Sequence, residues 1–485
     1  MKVNESIFRE YDIRGIAGAD IDEKFAYTFG QAFGTFLTQK GVKKALVGYD
    51  ARSTSPSYFE ESVKGLITTG VDVIKIGMVT SPMMYWARKF YKIDGGLVIT
   101  ASHNPPEFNG FKPASGGGAL FGQAIQDLKK FMISENFEKG EGKVTQKDIT
   151  DDYFSDIASR IKLSKPLSVI VDCGNSTAGP FAPVIVEKIG AKVEKLFCDI
   201  DPSFPNHPPD PVDPRAYPQI IEKIKGGSYD LGLLFDGDAD RLGVVDSEGE
   251  IIRGDQITAL CARGILKKKP GAKILFEVQC SKSATDDVEA HGGKVILTKV
   301  GHSLIEDALV REKGELAGET SGHIFFVDRW YGFDDAIYAA CRLLEYVAES
   351  GKTLKELVDS LPKYISTPQT RIFAPDERKF EIVEELKKYF ADFSFRHSRP
   401  SPVIPAKAGI GINSGGNPKL LTIDGVRLEW DDGWAVVRAS NTQPQLTLRA
   451  EASSEKRLDE IKRIVEESLL PYAKEGIKVE WGKVH

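Results

Sequence analysis

Three times along the chain a nearly unbroken apolar run gives way to a polar loop, a helix-period stretch and a second apolar run. KKALVGYDARSTS leads to VDVIKIG, KPLSVIVDCGNSTAG leads to AKVEKLF, and GAKILFEVQCSKSA leads to GGKVILTKVG. The first run of each is almost continuous in Val, Leu, Ile and Ala, the pattern of a strand covered on both faces by helices, so each segment predicts a βαβ unit. Between the runs, GLITTG, FAPVIVEKIG and DDVEAHGG read as helix ends closed by glycine, which enters the left-handed region without steric cost. Each unit is followed by one more strand that empties into an unusually polar loop: LVITASHNP, LGLLFDGDADR and ELAGETSGH. In open α/β sheets ligands gather beyond the carboxyl ends of the strands, so the three loops are expected to converge on one cleft.

After about residue 367 the pattern changes. A helix EIVEELKKYF precedes the short strands LTIDGVRLEW, GWAVVRAS and LTLRAEAS, and a helix EKRLDEIKRIVEESL follows. Consecutive strands joined by Asp and Gly turns predict an antiparallel sheet with helices on one side. The expected fold is therefore α/β: three related α/β domains with mixed sheets between helices, plus a C-terminal α+β domain. Composition loosens near residues 146, 252 and 366, which sets domains at 1–146, 147–252, 253–366 and 367–485. Residues 396–419, RHSRPSPVIPAKAGIGINSGGNPK, carry more Pro and Gly than a packed element tolerates and read as an inserted loop, exposed, mobile and chemically silent.

A length of 485 residues agrees with several domains. Lys and Arg total 64 against 70 Asp and Glu, a formal charge of −6, which argues against a polyanion-binding surface and so against nucleic acid as the partner. The five cysteines, Cys173, Cys198, Cys261, Cys280 and Cys341, are scattered and include no CxxC pair, so they read as reduced core residues. The N-terminal MKVNESIFREYDIRG has no apolar signal region, and no run of eighteen apolar residues occurs, so a cytoplasmic protein without membrane attachment is expected.

The polar loops carry the chemistry. In TASHNPPEFNGFK, Ser102 at the mouth of a strand is either a turn former or a nucleophile. In LLFDGDADRLG, Asp236, Asp238 and Asp240 alternate with small residues, and their mutual repulsion calls for a hard cation such as magnesium. An EF-hand loop is excluded, because its sixth position holds Arg241 instead of glycine and its twelfth Ser247 instead of glutamate. A phosphatase with an Asp236 nucleophile stays open, as does a solvated acidic turn. GETSGH sets Glu319, Ser321 and His323 at alternate positions, where a carboxylate and a hydroxyl can grip vicinal sugar hydroxyls and an imidazole can meet phosphate or move a proton. WAVVRASNTQPQLTLRAE gathers Arg438, Ser440, Asn441, Thr442 and Arg449 around a turn, the donors a dianionic phosphate asks for. Tyr11 and Arg14 in REYDIRG, with Lys299 and His302 in KVGHS, add polar candidates whose weight depends on company.

TASHNP, DGDADR, GETSGH and RASNTQP, in this order, resemble the motifs of α-D-phosphohexomutases, and REYDIRG, PDP at Pro209 to Pro211 and KVGHS look most like the bacterial phosphomannomutase/phosphoglucomutase branch. The resemblance implies a heart-shaped molecule of four domains, each lending one loop to a central cleft. It implies that Ser102 is phosphorylated and that Asp236, Asp238 and Asp240 hold one Mg2+ per active site together with the serine phosphate. Glu319 and Ser321 would contact sugar hydroxyls, and Arg438, Ser440, Asn441 and Thr442 would hold the non-reacting phosphate, with Tyr11 and Arg449 as further substrate-binding candidates. Arg14, His103, Lys112, Arg241, Lys299, His302 and His323 would line the reacting phosphate and the sugar, with Lys112 and the histidines as candidates for proton transfer. The implied reaction interconverts hexose 1-phosphate and hexose 6-phosphate, of mannose or glucose, through a hexose 1,6-bisphosphate that also serves as primer. The implied partners are small sugar phosphates, and the protein is expected to be a monomer or dimer. A magnesium-dependent sugar phosphatase and a phosphoglucosamine mutase are the alternatives. Three features depart from the branch: Thr320 stands where methionine is common, CGNSTAG replaces a more glycine-rich turn, and 396–419 is inserted.

Overall fold

The apolar run of the first unit forms the strand Lys44–Tyr49, which pairs in parallel with Asp72–Met78 on one side and with Gly95–Ile99 on the other. Gly95–Ile99 is buried along its whole length, as a run without polar positions requires. The sheet then turns antiparallel: Phe108–Ser115 pairs with Gly95–Ile99, and Ile13–Ile16 pairs with Phe108–Ser115. The second unit repeats the plan, with Ser168–Asp172 between Lys192–Leu196 and Leu231–Phe235, both parallel, and Leu242–Asp246 antiparallel beyond. The third places Lys273–Glu277, the helix Lys282–Ala290 and Lys294–Thr298 ahead of the antiparallel hairpin Leu316–Gly318 and Ile324–Phe326. In each copy the polar loop follows a strand's carboxyl end and precedes an antiparallel return, so the sheets are mixed, as expected. The glycines expected to close helices do so in left-handed conformation at Gly70, Gly190 and Gly292, with φ of 84°, 112° and 80°.

This computed structural model describes residues 3–10, 13–396, 418–440 and 443–482. Tyr11, Asn441, Thr442 and residues 397–417 of the expected insertion lie outside the described residues; Arg396 ends a helix and Lys419 begins a strand. The chain divides into two units: Met1–Leu275, His291–Lys294 and Gly301–Ser360 form the first, and Phe276–Ala290, Val295–Val300 and Leu361–His485 the second. The second contains a six-stranded sheet with the antiparallel run Lys419–Leu421, Val426–Trp430, Gly433–Ala439 and Gln445–Ala452, accompanied by the helices Lys379–Arg396 and Glu455–Leu469. Its last helix occupies the residues the sequence pattern marks out, and Ser454 caps it by accepting from the Arg457 amide. Among the described residues no helix is long and apolar enough to cross a membrane.

Candidate active site

Within the first unit the three polar loops meet. Ser102 follows Gly95–Ile99 in left-handed backbone, φ 50°, an uncommon conformation for a residue with a Cβ, and its amide donates to Thr100 Oγ1 at 2.9 Å. The turn aims Ser102 Oγ at the second loop, where it donates to Asp236 Oδ2 at 2.8 Å and lies 3.1 Å from His103 Nδ1. Gly237 makes this approach feasible: a Cβ there would stand 2.1 Å from the Ser102 carbonyl oxygen. Arg14 donates through Nη1 to Asn104 Oδ1 at 2.7 Å, tying the neighbouring strand to the serine loop.

Asp236 shapes its own loop, its Oδ1 accepting from the amides of Asp240 at 2.9 Å and Arg241 at 3.1 Å. Lys112 comes up from Phe108–Ser115 and places Nζ 2.6 Å from Asp238 Oδ2 and 2.5 Å from Asp240 Oδ2. These side chains are buried. Burial, then the Asp240 and Asp238 carboxylates, push the Asp236 carboxyl well up. At Asp240 burial is outweighed by Lys112, with His323 and Arg241 adding, so its carboxyl is held well below the usual range. Burial works against the Lys112 ammonium, but Asp238 and Asp240 raise its pKa well above the ordinary value. One oxygen each of Asp238 and Asp240, both Oδ1, is buried without a hydrogen-bond partner, and the three carboxylates offer ligand atoms within 4.8 Å of one another. Unpaired carboxylate oxygens in a dry site fit a hard cation, so the trio suits magnesium.

The third loop closes on the second. The Arg241 and His323 backbones form an isolated antiparallel bridge, and Arg241 Nε donates to His323 Nε2 at 2.9 Å. His323 Nδ1 lies 2.8 Å from Asp334 Oδ2, and because Nε2 accepts from Arg241 the neutral ring carries its proton on Nδ1. Burial opposes protonation of His323, yet Asp240 and then Asp334 raise its pKa. The His302 ring stacks on His323 with centroids 5.9 Å apart, and its Nδ1 is 3.9 Å from the same Asp334 oxygen. His103 is kept neutral by burial and then by Arg241 and Arg14. Glu319 accepts from Ser321 Oγ at 2.7 Å and from the Gly301 amide at 2.9 Å, which orients the pair expected to grip sugar hydroxyls.

Three residues in this cluster are not among the expected ones. Arg52, buried at 2% exposure, donates through Nη2 to the carbonyls of Ser102 at 2.7 Å and Asn104 at 2.5 Å, and through Nη1 to those of Pro105 at 2.7 Å and Phe108 at 2.9 Å. Ser81, first residue of a helix capped by Thr80, donates its hydroxyl to Asp238 Oδ2 at 2.5 Å and its amide to the Asp238 carbonyl at 3.1 Å. Asp334 is the third. The signal for Arg52 is visible in YDARSTS, where Asp50 and Arg52 interrupt the end of an otherwise apolar run.

In the second unit, Arg438 is the penultimate residue of the strand Gly433–Ala439, buried, with Nε donating to Asp424 Oδ2 at 3.0 Å, and Asp424 also accepts from the Val300 amide at 3.1 Å. Ser440 follows that strand, its Oγ accepting from the Gln443 amide at 3.2 Å. Lys299 is exposed. Arg449, expected beside Arg438 at the phosphate, instead donates to the Gln279 carbonyl at 2.8 Å and lies over the Trp434 ring. In register it sits opposite Val436, whereas Arg438 sits opposite Thr447, so the two guanidiniums stem from different levels of the sheet.

Comparison with known proteins agrees with this architecture. Family models described as phosphoglucomutase/phosphomannomutase alpha/beta/alpha domains I, II and III match residues 5–139, 151–249 and 253–364, and the C-terminal domain of the same family matches 372–468. A phosphomannomutase/phosphoglucomutase of Pseudomonas putida is 40% identical over 466 residues, covering 96% of this chain and 96% of its own. A phosphoglucomutase of Neisseria gonorrhoeae is 39% identical over 462 residues, covering 95% of each. The crystal structure of a phosphoglucomutase/phosphomannomutase family protein from Burkholderia thailandensis superposes with a TM-score of 0.88 at 37% identity, covering 98% of this chain and 99% of that one.

Proposed function

The chain belongs to the phosphoglucomutase/phosphomannomutase family and is a phosphohexomutase, and from that premise we propose that Ser102 is the residue that carries the phosphoryl group between the two positions of the sugar. One observation carries the assignment: Ser102 Oγ, raised on a left-handed turn, meets Asp236 at 2.8 Å beside two carboxylates with unpaired oxygens. Asp236, Asp238, Asp240 and the phosphorylated Ser102 would hold one Mg2+. That ion supplies charge neutralisation as phosphoryl passes between oxygens.

The chain's own groups do the rest. A hydroxyl of a bound hexose phosphate attacks the Ser102 phosphorus; its proton passes to His323 Nε2 or to its stacked neighbour His302, and the P–O bond to Ser102 breaks. Lys112, Arg14, Arg241 and the neutral His103 surround the transferred group, where positioned donors lower the barrier most. The sugar is now a 1,6-bisphosphate. It turns end for end, and its other phosphate returns to Ser102 with the proton retracing its path. Glu319 and Ser321 hold sugar hydroxyls in both orientations, which favours few contacts over a dense pocket. Arg438, Ser440, Asn441, Thr442, Tyr11, Lys299 and Arg449 are assigned to the substrate and its non-reacting phosphate, Arg449 by supporting the strand of the phosphate loop. The four domains are placed at 1–146, 147–252, 253–366 and 367–485, and mannose and glucose phosphates are the proposed substrates, with hexose 1,6-bisphosphate as primer.

The test is turnover of mannose 1-phosphate and glucose 1-phosphate with magnesium and a bisphosphate primer, with intact mass for a phosphate on Ser102. Ser102→Ala is expected to bind substrate but not interconvert the isomers; wild-type turnover in that variant would refute the assignment. Release of free phosphate without isomer exchange would instead support a phosphatase. Asp236 is a poor nucleophile in this setting, since its two oxygens already accept from two amides and Ser102.

A further inference from the structure

The strands Ser168–Asp172 and Lys192–Leu196 run in parallel and end level, Asp172 opposite Leu196, and beyond each the chain doubles back. Gly174 and Asn175, with φ of 53° and 57°, follow Cys173, and Phe197, with φ of 49°, precedes Cys198. A phenylalanine in this region is sterically disfavoured and marks an imposed turn. Its result is that Cys198 Sγ lies 3.3 Å from Cys173 Sγ. Cys173 is fully buried; Cys198 is half-buried and reachable from the surface, flanked by exposed Lys195 and Asp199. Among the described residues Cys173 and Cys198 join no group of three candidate metal ligands.

We propose that Cys173 and Cys198 are a reversible dithiol–disulfide pair, oxidised by hydroperoxides, whose closure distorts the acidic loop at Asp236. Cys198 is the thiol reachable from the surface, its pKa lowered by the neighbouring Cys173 sulfur, whereas burial raises that of Cys173, so Cys198 attacks first and Cys173 resolves. The Cys198 thiolate attacks the terminal peroxide oxygen; the O–O bond breaks, an S–O bond forms, and the departing alkoxide takes up a proton as alcohol, or as water from hydrogen peroxide. The Cys173 sulfur then attacks the Cys198 sulfenic acid; the S–O bond breaks, the S–S bond forms, and hydroxide leaves with the Cys173 proton as water. Two thiols lose two electrons to one hydroperoxide.

The consequence runs through backbone contacts. The Cys173 carbonyl accepts from Ser176 Oγ at 2.6 Å and from the Ser176 amide at 2.9 Å, and Ser176 Oγ also reaches the Asp236 carbonyl at 3.2 Å. Thr177 donates to the Gly237 carbonyl at 3.4 Å and accepts at Oγ1 from the Ala51 amide at 3.0 Å. The turn 173–177 is thus a strut beneath the loop that faces Ser102. A disulfide must draw the sulfurs together to about 2.05 Å. The Cys198 backbone is pressed against Gly179, where a Cβ would stand 2.0 Å from its carbonyl oxygen, so the strut is the side that yields.

The link to turnover rests on the function proposed above; the link between the two sulfurs does not. Full-length protein with magnesium is titrated with hydrogen peroxide, its free thiols counted, its peptides mapped without reduction, and its mutase rate followed. The expected result is loss of two of the five thiols, one cross-linked peptide joining Cys173 to Cys198, and a several-fold fall in kcat that dithiothreitol reverses. Cys198→Ser is expected to keep the unoxidised rate and resist peroxide, and Cys173→Ala serves if that variant folds poorly. Absence of the cross-link, or oxidation ending at Cys198 sulfinic acid, would overturn the pair; a cross-link with unchanged kcat would overturn the distortion of the acidic loop.

Discussion

Arg52 gives the sharpest test of how the serine loop is held. Its guanidinium is paired with Asp50, Nε to Oδ2 at 3.2 Å, and Asp50 is also held by the Ser55 hydroxyl at 2.5 Å. Burial moves both groups toward neutrality, raising the Asp50 carboxyl and lowering Arg52, each against the pull of the other. A buried ion pair seldom repays its own desolvation, so a stability role alone does not explain it. The four carbonyls of the Ser102–Phe108 turn that Arg52 gathers do. Arg52→Met strands Asp50 without a cation, at a cost of about 3–5 kcal/mol. At about 2–4 °C per kcal/mol for domains of this size, the apparent Tm should drop by about 6–20 °C. It also frees the serine loop, and a displacement of about 1 Å at a reacting oxygen costs about 10²-fold in kcat.

Adding Asp50→Asn separates the two effects. Without the stranded carboxylate most of the lost Tm should return, while kcat stays about 10²-fold down because the carbonyls remain ungathered. Arg52→Lys should likewise keep charge balance and Tm but not turnover, since an ammonium cannot fork across four acceptors. Thermal scans and steady-state kinetics on the three variants decide the matter. If Arg52→Met with Asp50→Asn recovers both Tm and kcat, Arg52 merely neutralises Asp50 and the reasoning fails.

Lys112→Met removes the ammonium shared by Asp238 and Asp240, so the Tm gained on adding magnesium after chelation should exceed that of wild type; an equal gain would count against the trio as the cation site. Arg438→Lys replaces a fork with a point charge and should raise KM for the sugar phosphate about tenfold with little change in kcat, whereas an unchanged KM would remove Arg438 from substrate binding. Burial raises Glu306 and Asp335 each to about 7. Their folded pKa values exceed the unfolded ones, so the native state binds the extra protons, and their stabilisation is full below about pH 4 and lost as pH rises through about 7. Glu306→Gln should flatten the fall of Tm between those limits, and an unaltered Tm profile would show that Glu306 does not titrate there.

Much of this site is legible in the chain because of one contrast. Runs such as GGLVI and LGLLF are apolar at every position, which only a strand covered on both faces needs, and the polar residues crowded immediately after them have no reason to lie there except to face a ligand. Ser102, the three aspartates, Glu319 and His323 were found by that contrast, and the structure brings them together. Arg52 falls under it in YDARSTS, although its partners are backbone carbonyls, whereas Ser81 and Asp334 escape it because their partners lie on other loops: what marks Ser81 is the Asp238 carboxylate, 157 residues away. Arg449 takes partners that the motif does not show. It stands in the same motif as Arg438, but strands rise about 3.3 Å per residue, so two levels of register separate the bases of their side chains by about 7 Å. That is enough for its guanidinium to find the Gln279 carbonyl instead. Sequence adjacency thus identifies which loops bear the chemistry, whereas the groups that hold those loops in place are chosen by register and close approach. The same rule makes the Cys173–Cys198 contact invisible in a sequence with no CxxC pair: it exists because two parallel strands end level and each turns back through a left-handed residue.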